Sequence, residues 1–109
     1  MLAHIIVMGL TIGSYKKEIL DEESNKKIEL IEPFVHDFWE KMGYNGVYPN
    51  GPNEELWSQV VNGKNYIVKK AFYREPLSLC VNFHESFDGD VSILNTNMCK
   101  SVFDILDIN

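Results

Sequence analysis

Two glycine-containing dipeptides, Asn62-Gly63 and Asp88-Gly89, constrain the fold more than any other feature of this 109-residue sequence. Each lies between two runs suited to extended chain, and such dipeptides are the strongest short-range signal for a two-residue hairpin turn. In an up-and-down antiparallel sheet both turns lie at the same end. The runs around them predict four strands, at residues 56–61, 64–73, 77–84 and 91–95.

A helical pattern precedes these strands. Apolar residues recur at three- and four-residue spacing from Ile28 to Met42, which predicts an amphipathic helix with one buried face. Pro33 interrupts the pattern, so the helix either kinks there or begins there, and both alternatives leave residues 34–42 helical. Residues 14–27 are dense in charge and predict an exposed segment or the outer start of the helix. We expect one α+β domain over the whole chain, an antiparallel sheet with this helix across one face.

The bulk properties exclude several classes of partner. The formal net charge is −6 and the basic residues form no stripe, so neither nucleic acid nor an anionic membrane surface is an expected partner. The opening stretch MLAHIIVMGLTIG is apolar but shorter than the roughly 18 residues of a spanning helix. It has no basic residue ahead of it and no clean cleavage pattern after it. We interpret it as an apolar N-terminal arm, and a secreted origin stays open.

The chain has two cysteines, Cys80 and Cys99, too few for a disulfide scaffold and without the spacing of a metal site. One bridge between them is possible, but two reduced thiols in a cytosolic protein is the interpretation we favour. Cys80 and His84 share a strand face at a separation of about 13 Å, too far for a thiolate–imidazole pair. We therefore expect no catalytic residue, no metal site and no cofactor.

Binding through the turns is better supported than catalysis. Hairpin tips at one end of a rigid sheet are preorganised, which lowers the entropic cost of association. Gly63 has no side chain to hold a partner away from the backbone, and Asn62 tolerates a positive φ. Val60 and Val61 stiffen the arm beside the turn. Gln59 can both donate and accept hydrogen bonds.

The stretch Gln59-Val60-Val61-Asn62-Gly63 fits the Gln-x-Val-x-Gly pattern of the cystatin family, inhibitors of papain-like cysteine proteases, and residues 65–69 also resemble the family's continuation. Leu10-Thr11-Ile12-Gly13 resembles its apolar N-terminal trunk ending in glycine, with Gly9 as the competing trunk glycine. Ser86-Phe87-Asp88-Gly89 lies where the stefins, its small intracellular branch, carry a second turn. Pro33, Asp88 and the two cysteines depart from the stefin pattern.

The resemblance implies an antiparallel sheet wrapped around one long helix and a reversible competitive inhibitor that blocks the active-site cleft of a cathepsin-type protease without chemistry. It implies a cytoplasmic monomer, with a domain-swapped dimer as the other possible state. The alternative is a binding module of the same fold without inhibitory activity. The protease-binding residues that it implies are Gly9, Leu10, Ile12, Gly13, Gln59, Val60, Val61, Asn62, Gly63, Phe87, Asp88 and Gly89.

Overall fold

Every strand of the sheet pairs antiparallel with its neighbour in sequence. A computed structural model of the chain describes residues 11–12, 14–42, 51–71 and 77–106. The described residues form three helices: α1 (Glu22–Glu29), α2 (Glu32–Lys41) and α3 (Val102–Leu106). The strands are β1 (Thr11–Ile12), β2 (Tyr15–Glu18), β3 (Asn53–Val60), β4 (Lys64–Lys70), β5 (Ser78–Glu85) and β6 (Val91–Cys99).

The expected long helix wrapped by the sheet is wrong. Two short helices stand in its place, because Pro33 has no N–H to continue the hydrogen-bond ladder and its ring crowds the preceding turn. The Leu30 amide donates to the Lys27 carbonyl at 3.2 Å, and the Ile31 amide donates to the Ile28 carbonyl at 3.1 Å. Both bonds reach back three residues instead of four, and α1 ends there. Helix α2 then begins with proline in its first turn, as one of the two alternatives predicts.

The charged segment before this break is ordered. Its first part forms β2, which pairs with β3 through Lys16 opposite Ser58. Its second part forms α1, whose N-terminus is capped by Asp21: the Asp21 carboxylate accepts from the Ser24 amide at 2.8 Å. Two glutamates in the first turn and two lysines in the last complement the helix dipole.

One face of the sheet packs against α1 and α2 and holds the larger core. Tyr66 and Phe83 stack there with ring centroids 5.0 Å apart. The buried residues of this face are Ile28, Ile31, Val35, Trp39, Leu56, Tyr66, Val68, Leu79, Val81 and Phe83.

The opposite face holds a second, smaller core, which the sequence did not predict. Helix α3 follows β6 and folds back onto this face. Cys80 and Cys99 are bonded to each other beneath it, both of them buried. The core consists of Tyr15, Trp57, Ile67, Cys80, Cys99, Val102 and Ile105. None of the helices that the described residues form is long and apolar enough to cross a membrane.

Acid is expected to weaken α1 and α3, because a carboxylate accepts hydrogen bonds from backbone amides at the start of each helix, Asp21 at α1 and Asp104 at α3. Backbone amides hold the pKa of Asp21 and of Asp104 below the ordinary value, through Ser24 in the first case and through Lys100 and Ser101 in the second. A depressed folded pKa contributes stability that is present above the unfolded value and is lost as the pH falls. The urea concentration at the unfolding midpoint should therefore decrease as the pH falls below about 4.

The matched control for this test is the double variant Asp21→Asn, Asp104→Asn, whose amide oxygens still accept hydrogen bonds but do not titrate. Its urea midpoint should fall less than that of the parent chain between pH 6 and pH 3. An equal fall in both proteins would show that these caps do not contribute to acid sensitivity.

Candidate functional site

Three turns lie side by side at one end of the sheet, which we call the tip end: residue 14, residues 60–64 and residues 85–91. The register pairs Ile12 with Tyr15 around the first turn. It pairs Val60 with Lys64 around the second and Glu85 with Val91 around the third. Because consecutive antiparallel strands alternate in direction, these three connections share one end, and the pairing of Lys64 with Glu85 holds two of them in contact.

The turn at 61–63 has the backbone that Asn-Gly predicts, with one residue more than expected. Asn62 has φ 46° and Gly63 has φ 112°. The pairing of Val60 with Lys64 leaves three residues in the loop, where the sequence predicted two. The Val60 side chain is 76% exposed and that of Val61 is 43% exposed. The apolar groups on this turn therefore face solvent.

Gly63 itself is buried, contrary to the expectation that it keeps the backbone open to a partner. A Cβ added there would lie 2.4 Å from the Glu85 carbonyl oxygen and 3.2 Å from the ring of His84. The glycine allows β5 to approach the turn closely, which fixes one turn against the next. Contact with a partner at this turn is left to Val60, Val61 and Asn62.

The third turn is closed by its own hydrogen bonds and carries an exposed aromatic ring. The Gly89 amide donates to the Ser86 carbonyl at 3.0 Å, and the Ser86 amide to the Asp90 carbonyl at 2.9 Å. Gly89 has φ 91°, and an added Cβ would meet nothing within 4 Å. The Phe87 side chain is 84% exposed. A shallow groove of about 270 Å³ separates this ring from Val60.

A row of hydrogen-bonded polar side chains crosses the sheet beneath the turns. Gln59 donates through Nε2 to the Ser14 hydroxyl and accepts through Oε1 from the Asn65 amide at 3.3 Å. Asn65 Oδ1 lies 2.6 Å from His84 Nδ1. Since an amide oxygen only accepts, we assign the proton to Nδ1. One row thus joins the turn before β2 to strands β3, β4 and β5.

Helix α1 is also tied to the tip end. Lys27 Nζ lies 3.1 Å from the Glu85 carboxylate and donates to the Tyr66 hydroxyl at 3.1 Å. Burial alone lowers the pKa of Lys27, but these two partners outweigh burial and raise it. The lysine is therefore charged at neutral pH. Its ion pair with Glu85 holds the last residue of β5, directly before the third turn.

The structure brings together most of the residues implied by the resemblance. The stretch 59–63 and the stretch 87–89 occupy neighbouring turns. The backbone of Ile12 pairs with Tyr15, the first residue of β2, and β2 in turn pairs with β3. Gly9, Leu10 and Gly13 lie outside the described residues. Gln59 takes part in the polar row, so its amide links strands in addition to any contact with a partner.

Four residues of this end of the sheet were not predicted from the sequence: Ser14, Asn65, His84 and Lys27. The three-residue loop places Gln59 opposite Asn65, and the register of β4 with β5 places Asn65 opposite His84, so the row follows from these two registers. A two-residue loop would have placed Gln59 opposite Tyr66. Lys27 carries no local signal, because its partners are 39 and 58 residues away, Tyr66 and Glu85.

The expectation of two reduced thiols is wrong, since both cysteines are in the disulfide. Strand β6 continues past Asn95 to Cys99, and this places the two sulfurs together. Within the described residues no group of three His, Cys, Asp or Glu side chains is arranged to hold a metal ion.

Comparison with known proteins assigns no relative. No protein-family model, no curated protein and no solved structure matches this chain.

Proposed function

We propose that this protein is a reversible competitive inhibitor of papain-like cysteine proteases and that its tip end enters the active-site cleft. The observation that carries the proposal is the alignment of the three turns by the strand register. A papain-like cleft is a groove, and a ridge of adjacent turns is the complementary shape. The Gln59–Gly63 stretch, with the sequence pattern of the cystatins, lies in the middle of that ridge.

The exposed apolar groups of the ridge support this proposal. Two adjacent turns expose the large apolar side chains of Val60, Val61 and Phe87. Their exposure to water does not stabilise an isolated chain, whereas burial against a partner would stabilise a complex. Interface energy concentrates in a few such groups, aromatic rings above all. We assign Phe87 as the anchor on the primed side of the cleft, and Val60 and Val61 to the centre near the catalytic cysteine.

The rigidity of the ridge also supports it. The Gly63–Glu85 contact, the polar row and Lys27 fix the turns before any partner arrives. Preorganised loops lose little conformational entropy on binding. The protein performs no chemistry in this mechanism: it obstructs the cleft, and it dissociates unchanged.

We place this activity in an oxidising compartment. The buried Cys80–Cys99 disulfide favours that location over the cytoplasm, because cytosolic thiols are kept reduced. Recovery of the oxidised chain from the culture medium or periplasm of the source cells would support this location. A chain found only in the cytosol with both thiols free would contradict it.

Titration of the protein against papain at increasing substrate concentrations is the direct test. Equimolar loss of activity, with an apparent inhibition constant that rises with substrate, is expected for reversible competitive blockade. Unchanged papain activity at a large molar excess across several papain-like enzymes would overturn the proposal and leave a binding module for another protein.

Phe87→Ala should raise the inhibition constant about 30-fold or more, the effect of losing one anchor residue. Its fold should not change, because the ring is 84% exposed. Phe103→Ala is the matched control: that ring is also exposed, but it lies on α3, beside the opposite end of the sheet. Equal inhibition constants for the two variants would show that the third turn does not touch the protease.

A further inference from the structure

Strand β6 is the last strand of the sheet that the described residues form, so it lies at the sheet's edge. It is nine residues long, Val91–Cys99, and pairs with β5 on one side. Among the described residues no strand pairs with its other side. The backbone groups of a free edge are a template for a further strand.

The composition of β6 does not protect this edge. Proteins usually block a long edge strand with charged residues, above all lysine, or with proline. Val91–Cys99 contains neither a charged residue nor a proline, although the whole chain carries 26 acidic and basic residues (10 Lys and Arg, 16 Asp and Glu). The one irregularity is a β-bulge in β6 itself: Asn82 pairs with Asn95 and Phe83 pairs with Ile93, so Leu94 is the extra residue.

The charges that flank β6 make the edge complementary to itself. Asp90 directly precedes the strand, Lys100 directly follows it, and both are exposed. If two copies of β6 pair antiparallel over their full length, Asn95 faces its own copy on the two-fold axis. Asp90 of each copy then faces Lys100 of the other. Opposite charges directly across a strand pair are favourable.

We propose that two copies of this chain associate through β6, antiparallel and in the register centred on Asn95, to form one continuous twelve-stranded sheet. A strand with no charge allows two molecules of net charge −6 to approach each other here without direct like-charge contacts. The third turn adjoins the Val91 end of β6, so the two tip ends point in opposite directions.

A cysteine placed on the two-fold axis tests the register. Asn95→Cys should yield a covalent dimer under mild oxidation, with a disulfide between the two introduced cysteines that peptide mapping identifies. Ser92→Cys is the matched control, on the same strand and more exposed. In the proposed register its two copies are about 20 Å apart, so it should not cross-link.

Charge reversal tests the association without a covalent bond. Asp90→Lys alone, or Lys100→Asp alone, places like charges across the pair at both ends and should raise the dimer Kd about tenfold, measured by sedimentation. The double reversal restores opposite charges and should restore the Kd. Both positions are exposed, so the fold should be the same in all three variants.

Three outcomes would overturn the proposal. The first is a parent chain that remains monomeric up to about millimolar concentration. The second is equal cross-linking of Asn95→Cys and Ser92→Cys, which indicates random collision. The third is a dimer whose Kd does not respond to either charge reversal, which assigns the contact to another surface or to a strand exchange between copies.

Discussion

Gly63→Ala is expected to destabilise the folded chain by about 2–4 kcal/mol. The new Cβ would lie 2.4 Å from the Glu85 carbonyl oxygen, a backbone atom that cannot move without displacing β5. Overpacking of this kind costs about 1–3 kcal/mol, and the φ of 112° adds about 1 kcal/mol for a residue with a side chain. Urea denaturation monitored by tryptophan fluorescence measures the loss.

Gly89→Ala is the matched control for this prediction. Gly89 also has a positive φ, 91°, and also lies in a turn at the tip end, but its added Cβ would meet nothing within 4 Å. It should lose only the conformational part, about 1 kcal/mol. Equal losses at the two positions would show that close packing of Gly63 against β5 does not hold the turns together.

Removing the disulfide should cost about 3 kcal/mol. Cys80 and Cys99 are 19 residues apart, and a crosslink that closes a loop of this size removes about that much entropy from the unfolded chain. For a domain of this size the loss is a large fraction of total stability. Urea denaturation of the double variant Cys80→Ala, Cys99→Ala should show this loss of free energy as a lower midpoint.

Reduction of the parent chain separates the bond from the packing of the two sulfurs. The reduced chain keeps both side chains in the second core and loses only the crosslink, so its loss should be slightly smaller than that of the double alanine variant. If reduction leaves the urea midpoint unchanged, the crosslink does not restrict the unfolded chain and the expected magnitude is wrong.

The strands β3 to β6 and the positions of the turns at Asn62-Gly63 and Asp88-Gly89 could be predicted from the sequence because each signal is local, but both loops are longer than the predicted two residues. In these two turns Asn62, Gly63 and Gly89 have the positive φ values that asparagine and glycine tolerate. The flanking runs are rich in residues that favour strands. Their pairing in sequence order then needs no long-range information.

The helices were less predictable, since one residue overrides the pattern around it. The spacing of apolar residues from Ile28 to Met42 continues past Pro33 without a break. The helical backbone does not continue past it, because proline has no N–H to donate. The second core was not predicted because its members in β4 and β5, Ile67 and Cys80, lie between residues of the first core, so one apolar run in each strand supplies both faces. Strand β2 contributes one buried aromatic residue, Tyr15, within a segment that is otherwise charged.

The candidate site divides in the same way. Gln59 and the two turns follow from a motif and from turn chemistry, whereas Asn65 and His84 join the site only through strand register. Register depends on the number of residues in the loop, and a change of one residue moves every pairing. A difference of this size separates the predicted two-residue turn at Asn62-Gly63 from the observed three-residue loop.

The position of the disulfide and α3 has a practical consequence. Both stabilise the end of the sheet where β5 begins and β6 ends, whereas the exposed rings and methyl groups of the turns lie at the other end. Residues 86–90 contact solvent more than core, so a loop of different sequence could be grafted between Glu85 and Val91 without unfolding the scaffold. Selecting such grafts against different enzymes would convert one stable sheet into a set of binders with separate targets.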